Sequence, residues 1–523
     1  MSLSKFMEKQ TSFNPLVIGV TLFFVVLLVS MILILPEQTQ TLLNVVKSGI
    51  FANFSWFYVL VFSGFLCFLV ILSVSRLGNI KLGNDEEEPE FGFLSWLAML
   101  FAAGMGVGLM FFGVAEPLTH YLSDITSGAA EHKQQEALLH TLFHWGIHAW
   151  AVYGTIALAL AYFGFRYKLP LALRSCFYPL LKERINGRLG DLIDIMALLA
   201  TLFGIITTLG FGASQLGAGL HQLGWVGENS FSLQIVIIAV VISLATFSAI
   251  SGVGKGVKIL SNTNLILAVG LLAITIIIGP TVQIFNTLTD SIGLYISNFF
   301  RMSFSAGSFG QYNRDWINTW TIFYWAWWIS WSPFVGVFIA RISKGRSIRQ
   351  FLSIVLLAPT VLSFLWFSTF GTLSTHVQSL GNVDLTQFPS EQTLFATFSQ
   401  LPFGFIASVV AIILIITFFI TSADSATYVL AMLSDDGNLK PKNNLKIFWG
   451  VLLATIAIVL LLSGGLVALQ NTLIIVAFPF SLIMVLIMVS LVIELLHEKD
   501  KMGLSITPTR YPKKDQPFKS YEE

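Results

Sequence analysis

The stretch Tyr324-Trp325-Ala326-Trp327-Trp328-Ile329-Ser330-Trp331-Ser332-Pro333-Phe334-Val335-Gly336 sits inside an apolar run from about Ile317 to Ala340, long enough to cross a bilayer as a helix. Tryptophan in membrane helices ordinarily marks the headgroup level, and Trp316 and Trp320 fit that place. Trp327, Trp328 and Trp331 fall near the middle of the run instead. Trp327 and Trp331 share a helix face, with Tyr324 three residues before Trp327. Several electron-rich rings at mid-membrane depth, followed by Pro333 and Gly336, suggest a cation cage beside a weakened helix. Such cages suit quaternary ammonium groups, which have no N–H to donate and are held by ring quadrupoles. Rings facing lipid or filling a helix interface would give the same pattern, and this stretch alone leaves both readings open.

Of the 523 residues, 55% are hydrophobic and 11% charged, against roughly 25% charged in a soluble domain. The chain is therefore expected to be a polytopic membrane protein. Its fold must be an all-α bundle, because backbone polar groups in lipid need internal partners. Twelve spans are expected, at about 15–35, 54–75, 92–115, 139–163, 191–219, 232–252, 260–280, 317–341, 351–373, 404–432, 446–469 and 473–495. All but four of the 29 basic residues (Lys47, Lys133, Arg301 and Arg314) fall on the side of the two termini, which places both termini in the cytoplasm. Cys67 and Cys176 lie far apart and give no disulfide framework or metal spacing. The net charge of +1 gives no sign of nucleic-acid binding.

This divides the chain into a cytoplasmic tail (1–14), two peripheral helices and their loop (15–91), and a first five-helix block (92–280). An outer interfacial helix and loop (281–316), a second five-helix block (317–496) and a cytoplasmic tail (497–523) complete it. The polar N-terminus, followed by a full-length span, does not read as a cleaved signal. The C-terminal tail, with Pro508, Pro512 and Pro517, reads as largely disordered.

Span three carries Gly104, Gly106 and Gly108 at alternating positions. Each weakens a helix by about 1 kcal/mol relative to Ala and bares backbone groups to whatever approaches. Close helix packing would use small residues similarly. Position favours the first reading, since Pro333–Gly336 is expected to interrupt span eight, five spans later. Interrupted helices at corresponding places of two halves point to an inverted-repeat transporter with a midplane site. Span four adds Trp145, Trp150 and Tyr153. It also carries His144 and His148 four apart, for which no carboxylate or third ligand is nearby in sequence, so no metal site is expected there. Span ten has Thr421 and Ser422 beside Asp424. Ionisable groups inside a membrane are costly and tend to be functional, and hard oxygen ligands of this kind suit a small cation such as Na⁺.

Three segments together resemble the betaine/choline/carnitine transporter family. They are Gly104-Met105-Gly106-Val107-Gly108, the run Trp325–Arg346 ending in Ala340-Arg341-Ile342-Ser343-Lys344-Gly345-Arg346, and Thr421-Ser422-Ala423-Asp424-Ser425. The resemblance covers nearly the whole hydrophobic region. It implies twelve spans, with three to seven and eight to twelve forming a leucine-transporter-type inverted repeat, and a homotrimer in a prokaryotic plasma membrane. The aromatic box it implies is Trp145, Trp150, Tyr153, Trp327, Trp328 and Trp331 around a trimethylammonium head. The glycine stretch (Gly104, Met105, Gly106, Gly108) would receive the carboxylate. One sodium site would use Ala102, Met105, Phe418, Thr421 and Ser422. A second would use Thr201 and Phe334, but Ile205 stands where another threonine belongs and Thr208 is one turn further on. A second sodium is left open by that departure.

Proton-coupled choline members resemble this chain but carry Asp where Gly108 stands, so a zwitterion is expected. Glycine betaine comes first, then carnitine or a sulfonium analogue such as dimethylsulfoniopropionate. Sodium-independent exchangers of the family place a basic residue on span five, and residues 202–216 contain none. The resulting expectation is a Na⁺-coupled secondary transporter working by alternating access. A sodium-independent exchanger and a proton-coupled choline symporter are the alternatives. An enzyme is not expected, because no nucleophile, base and orienting group come together. A channel is not expected either, because bulky rings suit occlusion better than conduction.

Overall fold

The computed structural model describes residues 14–104, 106–123, 130–251, 254–308 and 314–502. Among these the chain is helical almost throughout, with one isolated bridge between Lys81 and Ser347 and no strand. The long helices are α1 (Pro15–Ile34), α2 (Pro36–Val74), α3 (Phe93–Gly104), α4 (Val107–Leu122), α5 (Ala130–Trp145), α6 (Ile147–Ala161) and α7 (Arg188–Gln222). They continue with α8 (Phe231–Ser251), α9 (Gly254–Ile278), α10 (Thr281–Ser303), α11 (Phe323–Ile342), α12 (Ile348–Leu380), α13 (Gly404–Leu433) and α14 (Asn443–Met502). Among the described residues, ten helical stretches are long and apolar enough to cross a membrane. The expected tails lie outside the described residues up to position 13 and beyond 502.

Local chemistry accounts for the helix ends. At α1, the Asn14 side chain accepts from the Val17 amide at 3.3 Å, and Pro15 takes the first helical position, where its missing N–H costs nothing. Pro36 starts α2 in the same way. That helix begins well before the expected residue 54, because Pro36 and the acidic Glu37 make a favourable first turn for the polar segment that follows. The segment expected to lie along the surface is the helix α10. It buries Ile284, Thr287, Ser291 and Tyr295 and turns Val282, Ile296 and Phe300 outward.

Of the two expected helix breaks, one is found and the other is corrected. Span three is broken: α3 ends at Gly104 and α4 starts at Val107, with Gly106 fully extended at φ −155, ψ −163. Span eight is not broken. α11 runs through Pro333, although proline removes the N–H that would bond the Ile329 carbonyl. The adjacent Ser332 hydroxyl donates to that carbonyl at 2.7 Å and so keeps the helix whole. Gly336 serves packing rather than bending, since a Cβ there would lie 2.6 Å from Ile156 Cγ2 on α6. Two breaks were not expected. Gly146 separates α5 from α6. Gly464 and Gly465 kink α14, where Gly465 takes φ 60, ψ −149 and the Gln40 amide donates to the Ser463 carbonyl at 3.0 Å. α14 is thus two helices that meet at Gly464–Gly465, a break that falls inside the expected span 446–469 and not between it and the span 473–495.

α11 packs most extensively on α6, and α14 on α7. α6, α7 and α11 are enclosed on nearly all sides, whereas α1, α8 and α9 turn most of their surface outward. Large apolar side chains such as Phe247, Ile266 and Leu33 stand exposed there, as expected of helices bathed in hydrocarbon. The rings of the opening stretch therefore lie in the interior of the bundle.

Candidate functional site

All six rings of the expected box are buried, and they meet where α5, α6 and α11 converge. Trp327 and Trp328 stack at 5.2 Å with 8° between their planes. Trp145 stands edge-on to Trp328 at 4.9 Å, and Tyr153 edge-on to Trp328 at 6.1 Å and to Trp150 at 5.6 Å. The break at Gly146 ends α5 at Trp145, so that its ring turns toward α11 while Trp150 and Tyr153 arrive from α6. Trp325 lies on the opposite face of α11 and stacks on Phe62 of α2 at 4.2 Å.

The six do not form one undivided cage. Trp145, Trp150, Tyr153 and Trp328 line a small cavity of about 10 Å³, room for roughly one water, together with Leu109, Ala149 and Ser363. None of these lining residues carries a charge. Trp327 and Trp331 face the broken helix instead. A Cβ on Gly108 would lie 2.9 Å from Trp327 Cη2 and 3.2 Å from Trp145 Cη2, and one on Gly106 would lie 3.8 Å from Trp331 Cη2 and 3.6 Å from Ser422 Oγ. Glycine is needed at 108 because the rings approach the backbone itself. Gly104 ends α3, and Met105 lies outside the described residues.

The residues expected to hold sodium come together in part. Ser422 reaches Gly106, as given above. The Thr421 hydroxyl bonds the Thr417 carbonyl at 2.9 Å and accepts from Asn264 Nδ2 of α9 at 3.1 Å. Phe418 is buried and borders a second, more apolar cavity of about 30 Å³ beside Asn264. Ala102 belongs to α3, two residues before the break. On α7, the Thr201 hydroxyl is buried with no hydrogen-bond partner among the described residues, an arrangement that costs free energy unless something binds it. Thr208 bonds its own helix at Gly204. Phe334 stands edge-on to Trp331 at 5.6 Å, and Trp331 Nε1 donates to the Gly204 carbonyl at 3.0 Å. Asp424 points away from this region, accepting from Ser248 Oγ of α8 at 2.6 Å. It is a helix-to-helix tie.

Sequence spacing missed one residue that organises the box. Glu116 of α4 is fully buried and accepts from Trp145 Nε1 at 2.7 Å, Tyr324 Oη at 2.5 Å and His144 Nδ1 at 2.6 Å. His120 Nε2 lies 3.3 Å from the same carboxylate. An ionisable residue within an apolar span was the available signal. The expectation that His144 has no carboxylate or third ligand nearby is corrected, since Glu116 and His120 both reach it. His148 departs from this group and pairs with Ser303 at 2.9 Å.

An all-helical membrane bundle, with a broken helix facing an uncharged box of stacked rings, is the architecture of a small-molecule transporter. The chain belongs to the betaine/carnitine/choline family of transporters, which it matches over residues 16–500. That family consists of transporters rather than enzymes. The chain is 48% identical over 466 residues to the glycine betaine transporter OpuD of Bacillus subtilis, covering 89% of this chain and 91% of that protein. It is 41% identical over 500 residues to glycine betaine transporter 1 of Vibrio parahaemolyticus (93% and 94% covered). It is 63% identical over 507 residues to an uncharacterized transporter of Haemophilus influenzae (96% and 76% covered).

Proposed function

We propose that this chain is a Na⁺-coupled symporter that takes up a zwitterionic quaternary ammonium or sulfonium osmolyte, glycine betaine first, by alternating access. Carnitine and dimethylsulfoniopropionate are the further candidates. The observation that carries the reading is the uncharged cavity lined by Trp145, Trp150, Tyr153 and Trp328. Ring faces attract a trimethylammonium group without hydrogen bonds. A net-positive ligand would want a facing carboxylate. Glu116, which touches this box, already accepts from Trp145, Tyr324 and His144, so the site suits a ligand that carries its own anion. For that anion, the opened backbone at Gly106–Gly108 and the Trp327 indole N–H offer donors, the latter having no acceptor among the described residues. Two relatives that carry glycine betaine in their names, at 48% and 41% identity, support the same ligand.

Sodium coupling rests on the oxygen atoms of α13 and α7. Ala102, Met105, Phe418, Thr421 and Ser422 are the residues for one ion, and Ser422 lies against the break at Gly106. The unpartnered Thr201 hydroxyl supports a second ion with Phe334 and Thr208. Bound sodium would link its downhill entry to the uphill entry of the osmolyte. The proposal also places the chain as a homotrimer in a prokaryotic plasma membrane, both termini cytoplasmic, with blocks 92–280 and 317–496 as an inverted repeat.

The test is uptake of labelled glycine betaine into proteoliposomes with and without an inward sodium gradient, competed by choline, carnitine and dimethylsulfoniopropionate. Concentrative uptake only with sodium, blocked best by zwitterions, is the expected outcome. Sodium-independent counterflow would identify an exchanger, and preference for choline would overturn the zwitterion reading.

A further inference from the structure

Behind the aromatic box, Glu116, His120 and His144 each turn one ligand atom toward the others, all within 4.8 Å of one another and all fully buried. We propose that these three residues form a binding site for a divalent transition-metal ion of the zinc class, separate from the sodium and osmolyte sites. Two imidazole nitrogens and one carboxylate oxygen are the donors Zn²⁺, Co²⁺ and Ni²⁺ prefer, whereas Na⁺, Ca²⁺ and Mg²⁺ take oxygen.

The two carboxylate oxygens of Glu116 have different partners. Oε2 is held by Trp145 and Tyr324, and Oε1 faces both imidazoles. The donors on Oε2 fix the orientation of the ligand, the outer-shell arrangement that raises metal affinity. His144 is prepared in the same way. Its Nδ1 faces Glu116, and its Nε2 lies 2.9 Å from the Thr321 hydroxyl. A hydroxyl rotates to donate or accept. Thr321 can thus donate to Nε2 while Nδ1–H bonds Glu116, or accept from Nε2–H while Nδ1 gives its lone pair to a metal. Neither state leaves the imidazole unsatisfied.

The spacing is close to what a metal needs. Zinc bonds near 2.0–2.2 Å in a tetrahedron separate neighbouring ligand atoms by about 3.3 Å. His120 Nε2 and Glu116 Oε1 are 3.3 Å apart already, and the 2.6 Å between His144 Nδ1 and Glu116 Oε1 must widen. Entry is short, because the His120 ring lies under the half-buried Trp316 and Trp320, at 5.2 and 4.6 Å between centroids. Trp145 and Tyr324 bond the same carboxylate, so an ion drawing on Glu116 shifts one ring of the box and the tyrosine that stacks on Trp327 and Trp328. The occupied site is therefore an inhibitory one.

The experiment is Zn²⁺ titration of the purified full-length protein by calorimetry, with glycine betaine uptake measured in parallel. One ion per chain is expected, binding in the micromolar range or tighter and lowering uptake. His120→Gln, which keeps the Glu116 bonds to Trp145 and Tyr324, should weaken binding at least tenfold and relieve inhibition. His132→Gln, at a surface histidine paired with Glu136, should bind as wild type does. Absence of stoichiometric Zn²⁺ binding by the wild type, or unchanged binding by His120→Gln, overturns the proposal. Should His120→Gln fail to fold, Co²⁺ decides on the wild type: intense visible absorption of a four-coordinate nitrogen–oxygen site supports it, and the weak spectrum of hydrated Co²⁺ refutes it.

Discussion

At the scale of single residues, the rings of the box have separate tasks. Trp328 borders the cavity and stacks on Trp327, whereas Trp331 is tied to the Gly204 carbonyl of α7 and lies near Gly106. Trp328→Leu keeps apolar bulk but removes the ring quadrupole. It should weaken osmolyte binding by about 1–2 kcal/mol, roughly 5- to 30-fold in Kd, read by scintillation proximity with labelled glycine betaine. Unchanged affinity would reduce Trp328 to packing. Gly108→Ala places a methyl 2.9 Å from Trp327 Cη2. Because stacked indoles give way poorly, it should abolish binding while the protein still purifies as a folded species; wild-type affinity would mean the rings do not close on the backbone. Thr421→Ala removes an oxygen of the proposed sodium site. The sodium concentration for half-maximal uptake should then rise with little change in osmolyte affinity at saturating sodium, and a normal sodium curve would remove Thr421 from the site.

At the scale of elements, the two helices read as broken turn out to be handled differently. Gly106, which has no side chain to cap the helix that follows, takes an extended conformation, and the chain opens there between α3 and α4. In α11, a single hydroxyl compensates for Pro333 by donating to the Ile329 carbonyl. Ser332→Ala leaves that buried carbonyl unpaired and should cost about 1–3 kcal/mol, seen as a lower midpoint in thermal unfolding followed by size-exclusion chromatography. The double variant with Pro333→Ala restores an N–H to the same carbonyl and should recover most of the loss. If the two losses simply add, the hydroxyl is not the compensating group. This also shows why composition and spacing carried the reading only so far. A run of apolar residues reveals a helix, and alternate glycines reveal a weak point. Whether a proline breaks its helix depends on a neighbouring side chain's rotamer, which spacing does not contain.

At the scale of the whole molecule, the legible part was what repeats along the chain: apolar runs, their lengths, and the ring-bearing faces of α6 and α11. Contacts between residues distant in sequence were not legible. Glu116 and His144 are 28 positions apart, and nothing in either neighbourhood announces that α4 and α5 bring them together. A second group of this kind ties three separate segments at the end of α6. Arg166 bonds Asp85 at 2.7 Å and the Gly83 carbonyl at 3.1 Å in the loop before α3, and it pairs with Glu498 near the end of α14. Tyr162 and Tyr167 donate to Glu498 and Glu494 of the same helix end. The Arg166 and Glu498 side chains are only 8% and 2% exposed, so removing one charge strands the other in a poorly hydrated place. Breaking such a buried pair costs about 3–5 kcal/mol. The two partners are not equivalent, however. Glu498→Gln leaves Arg166 its bond to Asp85 and keeps an acceptor for Tyr162, whereas Arg166→Gln leaves both Asp85 and Glu498 without their cation. Arg166→Gln should therefore lower the thermal midpoint more than Glu498→Gln, and the double variant should be no worse than Arg166→Gln alone. Additive losses would mean that the three segments are held independently, and that the loop before α3 and the end of α14 do not act as one unit.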